Sequence, residues 1–124
     1  MQRFRIFNVL AAGLAATVFA LPQLAAAQNA ASSQTSVEQG KALAFSRTKG
    51  NCLACHTMKG GALAGNIGPG LSGMKARFPD RKTLFNHIWD EAKYNPMTVM
   101  PPFGRNKILS KQEIQKVVDF LYTL

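Results

Sequence analysis

Apolar residues recur at helical spacing near the carboxyl end of the chain. The spaced residues are Ile114, Val117, Val118 and Leu121. Their i, i+3, i+4, i+7 intervals place them on one face of an α-helix. The preceding segment Ser110-Lys111-Gln112-Glu113 has the form of a capping box, in which the first and fourth side chains satisfy free backbone N–H groups. The pattern predicts an amphipathic helix that begins just after Ser110.

Two further helices are predicted upstream. The segment Ser36-Val37-Glu38-Gln39 also resembles a capping box and predicts a helix that runs to about Arg47, followed by a turn at Gly50. Asp80 is expected to cap the next helix, which Asn95-Pro96 would end. The apolar face of that helix comprises Leu84, Phe85, Ile88 and Trp89.

Long irregular segments separate these helices. Residues 57–79 contain six glycines and two prolines without steady periodicity, and residues 95–106 are also irregular. Because strand patterns are absent, we predict an all-α domain with three main helices and long irregular loops. Three short helices bury little apolar surface, and domains of this size often need a disulfide, a metal or a cofactor for stability.

The amino-terminal segment has the layout of an export signal. Arg3 and Arg5 precede an apolar run from Val9 to about Leu21, and Ala25-Ala26-Ala27 is typical of a cleavage site. We therefore predict a periplasmic protein. Its expected parts are a cleaved signal peptide at residues 1–27, a flexible arm at residues 28–36 and one domain at residues 37–124.

The only two cysteines lie in Cys52-Leu53-Ala54-Cys55-His56. A disulfide would close a very small loop and leave His56 without a role. A thioredoxin-like pair belongs beside strands, and adjacent Cys55 and His56 are awkward ligands for one zinc ion. C-x-x-C-H is the signature of covalent haem attachment. The motif therefore predicts one haem c, bonded to Cys52 and Cys55, with His56 as the proximal iron ligand.

The second axial ligand is sought among the methionines, because thioether sulfur is a known haem ligand. Met58 lies too close to His56 to reach the opposite face, and Met74 lies early in an irregular segment. Met97 and Met100 remain. Met100 is favoured because Pro101-Pro102 follows it and stiffens the backbone, and Met97 is the alternative.

Four other features of the sequence bear on this site. Gly68-Pro69-Gly70-Leu71 is expected to bring a backbone carbonyl to the free ring nitrogen of His56. Pro69, Leu71 and Trp89 are therefore candidates for the haem environment, with the Trp89 indole as a donor to a propionate or as core filler. His87 is expected to be a surface or satisfied core histidine. Phe45 and Phe120 are expected where the first and last helices cross.

These motifs carry a resemblance to known families. CLACH, GPGL, a methionine before proline and a terminal amphipathic helix resemble class I c-type cytochromes. Three longer segments resemble the SoxX subunits of the SoxAX cytochromes of thiosulfate oxidation, over about Gln39 to Leu124. They are KALAFSRTKGNCLACH, GNIGPGLSGMKARFPDR and IWDEAKYNPMTVMPPFGRNKILSKQEIQKVVDFLYTL. The resemblance implies a class I cytochrome c fold around one covalent haem, and Met100 as distal ligand, because the family methionine directly precedes Pro-Pro-Phe-Gly.

The resemblance also implies a division of labour. A SoxA-like subunit would join thiosulfate oxidatively to a carrier-protein cysteine, as an L-cysteine S-thiosulfotransferase. The present chain would pass the electrons to a downstream soluble cytochrome. It has no thiol left once the haem is attached and no evident acid–base pair, so we expect an electron-transfer subunit rather than the catalytic centre.

A second hypothesis is an independent periplasmic electron shuttle. The chain carries a net charge of +9, and about +7 without Arg3 and Arg5, which suits steering toward an acidic redox partner. An obligate subunit should instead expose an apolar patch near the haem edge, for which Phe103 and Leu63 are candidates. Neither nucleic acid nor, after cleavage, a membrane is expected as a partner.

Overall fold

Four α-helices provide most of the regular structure in residues 34–124, the part of the chain that the computed structural model describes. They are α1 (Ser36–Phe45), α2 (Met74–Arg77), α3 (Arg81–Trp89) and α4 (Lys111–Leu121). Short 3-10 turns occupy Cys52–Ala54 and Glu91–Lys93. Residues 34–124 contain no strand, so the all-α prediction is confirmed. Helix α2 was not predicted, because four residues are too few to show a period.

The capping boxes differ in how well the sequence located them. Ser110 and Glu113 cap α4 as predicted, with Ser110 Oγ accepting from the Glu113 N–H at 3.2 Å. The box of α1 uses Thr35 and Glu38 instead of Ser36 and Gln39. Glu38 accepts from the Thr35 N–H at 2.8 Å, and an ionised acceptor makes the stronger hydrogen bond. The helix therefore begins at Ser36, a residue that the sequence assigned to the flexible arm.

Two predicted helix ends lie too far along the chain. Helix α1 ends at Phe45 rather than near Arg47, because Ser46 adopts an extended conformation with ψ 122°. Helix α3 ends at Trp89, several residues before Asn95-Pro96. The chain then turns at Glu91–Lys93.

Helices α1 and α4 cross at close range. The Phe45 and Phe120 rings meet edge to face, with centroids 5.7 Å apart and an interplanar angle of 85°, which confirms the predicted crossing. A Cβ added to Gly40 would lie 1.8 Å from the Lys116 carbonyl oxygen. Only glycine at this position allows the two backbones to approach so closely.

The apolar core is built around α4. All four residues of the predicted stripe are buried, and α3 contributes Leu84 and Ile88. Met58 and Met74 are also buried in this core, so they act as packing residues here. The core therefore joins α3 and α4 to the segment that follows the cysteine motif.

The predicted signal peptide, residues 1–27, lies outside the described residues, as does the arm up to residue 33. Within residues 34–124, no helix is long and apolar enough to cross a bilayer. Gln34–Leu124 form one compact unit by their internal contacts.

Candidate functional site

Cys52, Cys55 and His56 arise from a single tight turn. Asn51 precedes it in a left-handed conformation with φ 47°. The N–H groups of Cys55 and His56 both donate to the Cys52 carbonyl, at 3.2 and 2.9 Å. Both cysteines are free thiols and half-buried. One turn thus presents two thiols and an imidazole together.

The His56 ring is fixed by a backbone carbonyl. Its Nδ1 lies 2.8 Å from the Pro69 carbonyl oxygen. A carbonyl oxygen can only accept, so Nδ1 carries the proton and Nε2 keeps its lone pair. The sequence predicted a carbonyl from residues 68–71 at this nitrogen, and the structure has the contact at Pro69. Such a contact sets the tautomer that a metal-binding imidazole needs.

Backbone hydrogen bonds hold the two segments of this site together. The N–H groups of Gly65, Gly68 and Leu71 donate to the carbonyls of residues 53, 55 and 57, each at 2.8 Å. A Cβ added to Gly68 would lie 2.3 Å from His56 Cε1. Glycine at this position therefore makes room for the imidazole ring. We call residues 52–57 and 65–71 together the histidine segment.

The Cys52 thiol is held in its protonated form. Burial is the main reason that the pKa of Cys52 is raised to about 11; a backbone hydrogen bond partly opposes it, and the nearby Cys55 sulfur adds a smaller increase within that value. A protonated thiol is a weak nucleophile and a weak metal ligand. Cys52 is therefore a poor thiolate ligand for zinc as it stands.

The methionines occupy distinct environments. Met100 is half-buried and packs against the core, and its N–H donates to Thr98 Oγ1 at 3.1 Å. Met97 is 88% exposed. Met58 and Met74 are enclosed in the core, so Met100 is the methionine that combines partial burial with a fixed backbone. Its role as an iron ligand remains a prediction.

Trp89, Leu71 and Pro69 are the remaining residues that the sequence placed near a haem. Trp89 is half-buried and stacks on Phe85 with centroids 5.8 Å apart. Leu71 is half-buried against the core, whereas Pro69 is exposed. A Cβ on Gly104 would lie 2.1 Å from the Trp89 ring. Trp89 thus belongs to the contact between α3 and the segment after Met100.

His87 has partners of its own. Its Nδ1 lies 2.7 Å from Glu91 Oε2, and its ring stacks on Tyr94 with centroids 4.0 Å apart. This matches the expectation of a satisfied histidine. Among residues 34–124, no three His, Cys, Asp or Glu side chains are grouped to hold a metal ion.

The predicted environment of one residue was wrong. Phe103 was a candidate for an exposed apolar patch, but it is only 7% exposed. Its carbonyl accepts the N–H groups of Ile108 and Leu109, and this turn places the ring in the core. Leu63 is 96% exposed, and its place in a patch at the haem edge stays a prediction.

Sequence reasoning also missed three polar contacts near the site. Arg77 Nη1 donates to the Gly70 carbonyl at 2.8 Å, which supports the segment that bonds to His56. Arg105 Nη1 lies 3.1 Å from Asp90 Oδ2. Thr98 accepts from Met100, as described above. No local sequence pattern predicts these three contacts. The one available signal was Asp90, a charged residue directly after the apolar face of α3, which indicated that a cationic partner was needed.

The donor set fits a covalent haem. Two thiols and an imidazole with a free Nε2 come from one turn, and a half-buried thioether stands in a separate loop. In c-type cytochromes the two cysteines attach the porphyrin covalently, and an imidazole and a thioether are the iron ligands. The fit rests on the His56–Pro69 contact, because that contact fixes which ring nitrogen is available.

The chain is similar to proteins of known sequence or structure, among them the following two. An uncharacterized lipoprotein of Aquifex aeolicus (strain VF5) is 36% identical over 75 residues, which are 60% of this chain and 36% of that protein. The chain thus spans about a third of the length of this relative. A chain in the crystal structure of SoxXA from P. pantotrophus is similar with a TM-score of 0.63 and 26% identity. The similarity covers 70% of this chain and 80% of that one.

A family model matches most of the described residues. It is the model described as cytochrome c oxidase, cbb3-type, subunit III, and it matches residues 35–121. A cytochrome c domain implies covalently bound haem c, and the helical structure and its SoxXA neighbour agree with an all-α cytochrome c fold. The chain therefore belongs to this family of cytochrome c domains.

Proposed function

We propose that this chain is the monohaem electron-transfer subunit of a SoxAX-like L-cysteine S-thiosulfotransferase. The observation that carries the proposal is the 2.8 Å contact between His56 Nδ1 and the Pro69 carbonyl, beside the two thiols. It supports a proximal imidazole in a c-type cytochrome. The likeness to SoxXA and the sequence resemblance to SoxX subunits support the assignment within that class.

The residues divide the work of holding one haem. Cys52 and Cys55 would bond it covalently, His56 Nε2 and Met100 Sδ would bind its iron, and Trp89 and Leu71 would border it. When bound, the haem supplies a one-electron couple between ferric and ferrous iron. In this chain the Pro69 carbonyl fixes the imidazole tautomer, and the Thr98 hydroxyl would help to position the thioether by accepting the Met100 N–H.

The chemistry of thiosulfate oxidation would belong to a partner. Joining thiosulfate to a carrier cysteine breaks the thiol S–H bond, forms a sulfur–sulfur bond, and releases one proton and two electrons. The electrons would pass to the haems. After haem attachment this chain keeps no thiol, and His87 is already bonded to Glu91. We therefore assign the bond-forming step to a SoxA-like subunit, and to this chain the onward transfer of electrons, one at a time, to a soluble cytochrome.

Export to the periplasm is part of the proposal. The predicted signal peptide at residues 1–27, the relative named as a lipoprotein and the haem-attachment motif all support a chain that matures outside the cytoplasm. The domain would then comprise about residues 37–124.

A second candidate function is an independent electron shuttle. The net charge of +9 favours it, because a basic surface speeds encounter with an acidic partner. The two candidates differ in whether the chain forms a stable complex.

Native mass spectrometry of the tagged chain, purified gently from its own periplasm, tests the proposal. We expect a heterodimer with a second c-type cytochrome, and one haem mass on this chain. Thiosulfate with a carrier protein should reduce the haem only when the partner is present. A lone monohaem monomer would favour the shuttle, and a chain without haem mass would overturn both candidates.

A further inference from the structure

Asp90 is a buried carboxylate with incomplete partners. It is 0% exposed and among the largest fully buried side chains. Within residues 34–124, neither of its carboxylate oxygens makes a hydrogen bond. Its charged contact is an ion pair with Arg105, whose Nη1 lies 3.1 Å from Oδ2. Burying a charge in this way costs free energy.

Arg105 belongs to the segment that follows Met100. The N–H groups of Gly104 and Arg105 both donate to the Trp89 carbonyl, at 3.1 and 3.3 Å. Trp89 is the last residue of α3, and Asp90 is the next. The backbone and the ion pair therefore meet at one place, where the chain after Met100 returns to the end of α3.

This meeting point closes a loop. We call residues 91–104 the methionine loop, because both candidate ligands, Met97 and Met100, lie in it. Inside the loop, Met97 is 88% exposed and Met100 is followed by two prolines that have no N–H to donate. The position of Met100 therefore depends on the contacts that close the loop.

Burying the Asp90 carboxylate is unfavourable for stability, so its presence calls for a functional reason. Apolar residues that replace a buried ion pair often give equal or greater stability, so such a pair is weak evidence for a stabilising function. Such groups are kept in some proteins because they specify one conformation. Asp90 lies at the closure of the loop that carries the candidate ligand, where a single conformation of the chain is needed.

We propose that the Asp90–Arg105 ion pair keeps the methionine loop closed and thereby holds Met100 on the haem iron. Asp90 and Arg105 are positioning residues, since neither is itself an iron ligand. The inference rests on the proposed function, in which Met100 is the distal ligand. Opening the loop would release the thioether and leave the covalent bonds and His56 in place.

Competition by imidazole measures loop opening directly. Free imidazole binds ferric iron only when the thioether has left, so its affinity rises as the loop opens more easily. We expect Arg105→Gln and Asp90→Asn to bind imidazole about tenfold more tightly than the wild type, a factor that corresponds to about 1.4 kcal/mol. The absorption band of the iron–methionine bond should weaken in parallel. Arg105→Lys, which keeps the charge, should restore most of the wild-type affinity.

The chain offers a matched control pair. Arg81 pairs with Asp119 between α3 and α4, and its side chain is 54% exposed, against 56% for Arg105. Asp119→Asn should lower thermal stability and leave imidazole affinity unchanged. Met100→Ala should abolish the methionine band and set the upper limit of imidazole binding.

The outcomes separate the two proposals. A haem-loaded wild type without a methionine band would overturn the assignment of Met100, and with it this inference. A wild type with the band, whose Arg105→Gln variant binds imidazole within about twofold of it, a difference below about 0.5 kcal/mol, would overturn the ion-pair role alone. The Arg105→Gln variant should fold even if Asp90→Asn does not, because the Arg105 side chain is half exposed. It therefore tests the ion-pair role by itself.

Discussion

The histidine segment and the methionine loop hold their candidate ligands by different means. In the histidine segment, three backbone hydrogen bonds of 2.8 Å join residues 52–57 to residues 65–71. A fourth contact, from His56 Nδ1 to the Pro69 carbonyl, fixes the imidazole ring. In the methionine loop, the Met100 N–H bonds to a side chain, and the loop is closed by an ion pair beside two longer backbone hydrogen bonds, of 3.1 and 3.3 Å, to Trp89. Backbone contacts survive most substitutions, whereas side-chain contacts do not.

From this difference we infer that the histidine segment is the rigid side of the site and the methionine loop the adjustable side. The segment around His56 has little free volume, since glycine is required where the chain passes the ring. Met100 is half-buried and its loop contains the highly exposed Met97. We therefore expect mutations on the His56 side to act by crowding the ring. On the Met100 side we expect both crowding, where the loop returns to α3, and loss of polar contacts to act.

The largest expected effect comes from Gly68→Ala. Its Cβ would lie 2.3 Å from His56 Cε1, so the ring must move away from the Pro69 carbonyl. We expect a loss of about 3 kcal/mol in the free energy of unfolding and a much smaller fraction of chains with covalent haem. Mass spectrometry of the purified protein and denaturant unfolding measure these two quantities.

Gly73→Ala is the matched control for this prediction. Gly73 has a positive φ of 59°, but nothing lies within 4 Å of an added Cβ. It should cost only about 1 kcal/mol, from backbone strain, and leave haem attachment normal. Equal effects of the two substitutions would show that the space beside His56 is unimportant.

A substitution on the other side should separate the two regions. In Gly104→Ala, the new Cβ would lie 2.1 Å from the Trp89 ring, where the methionine loop returns to α3. We expect a cost of about 2 kcal/mol, a weaker methionine band and full covalent attachment of haem. Loss of attachment in this variant would contradict the division into two independently held sides.

The His56 side was predictable from the sequence because its signals are local. Cys52, Cys55 and His56 fall within five residues, and the glycines at 68 and 70 around Pro69 indicated a close backbone approach. The stripe of α4 and its capping box were equally visible. In each case a short pattern and its structure coincide.

The remaining features depend on longer range or finer competition. The residues TSVEQ contain two overlapping capping boxes, and the sequence alone favoured the wrong one, although the carboxylate of Glu38 is the stronger acceptor. Phe103 was predicted at the surface, but hydrogen bonds from Ile108 and Leu109 turn it inward. Asp90 and Arg105 are fifteen positions apart, and no periodic pattern links them.

Thr98 tests the polar support of Met100 on a smaller scale. Thr98→Val keeps the shape of the side chain and removes the acceptor of the Met100 N–H. We expect a cost of about 1 kcal/mol and loss of the methionine band at a lower denaturant concentration than global unfolding. Thr98→Ser keeps the hydroxyl and should resemble the wild type. If the Val variant lost the methionine band and its fold at the same denaturant concentration, Thr98 would have no role in holding Met100.

The smallest effect is expected at Glu113, at the amino end of α4. Its pKa is lowered from the ordinary value of 4.5 by the Ser110 N–H, and further by Lys49, whose Nζ lies 2.9 Å from Oε1. A carboxyl with a lowered folded-state pKa stabilises the fold above its ordinary pKa. That contribution disappears as the pH falls through the folded value.

Glu113→Gln should therefore lower the free energy of unfolding by about 0.5 kcal/mol at pH 7, because the capping contact is exposed and screened. The difference from the wild type should shrink progressively below pH 4.5. Urea unfolding of both proteins across this range measures it, and the methionine band and imidazole affinity at pH 7 should be unchanged. A change in imidazole affinity would mean that the amino end of α4 is coupled to the methionine loop. The adjustable side of the site would then extend well beyond the loop itself.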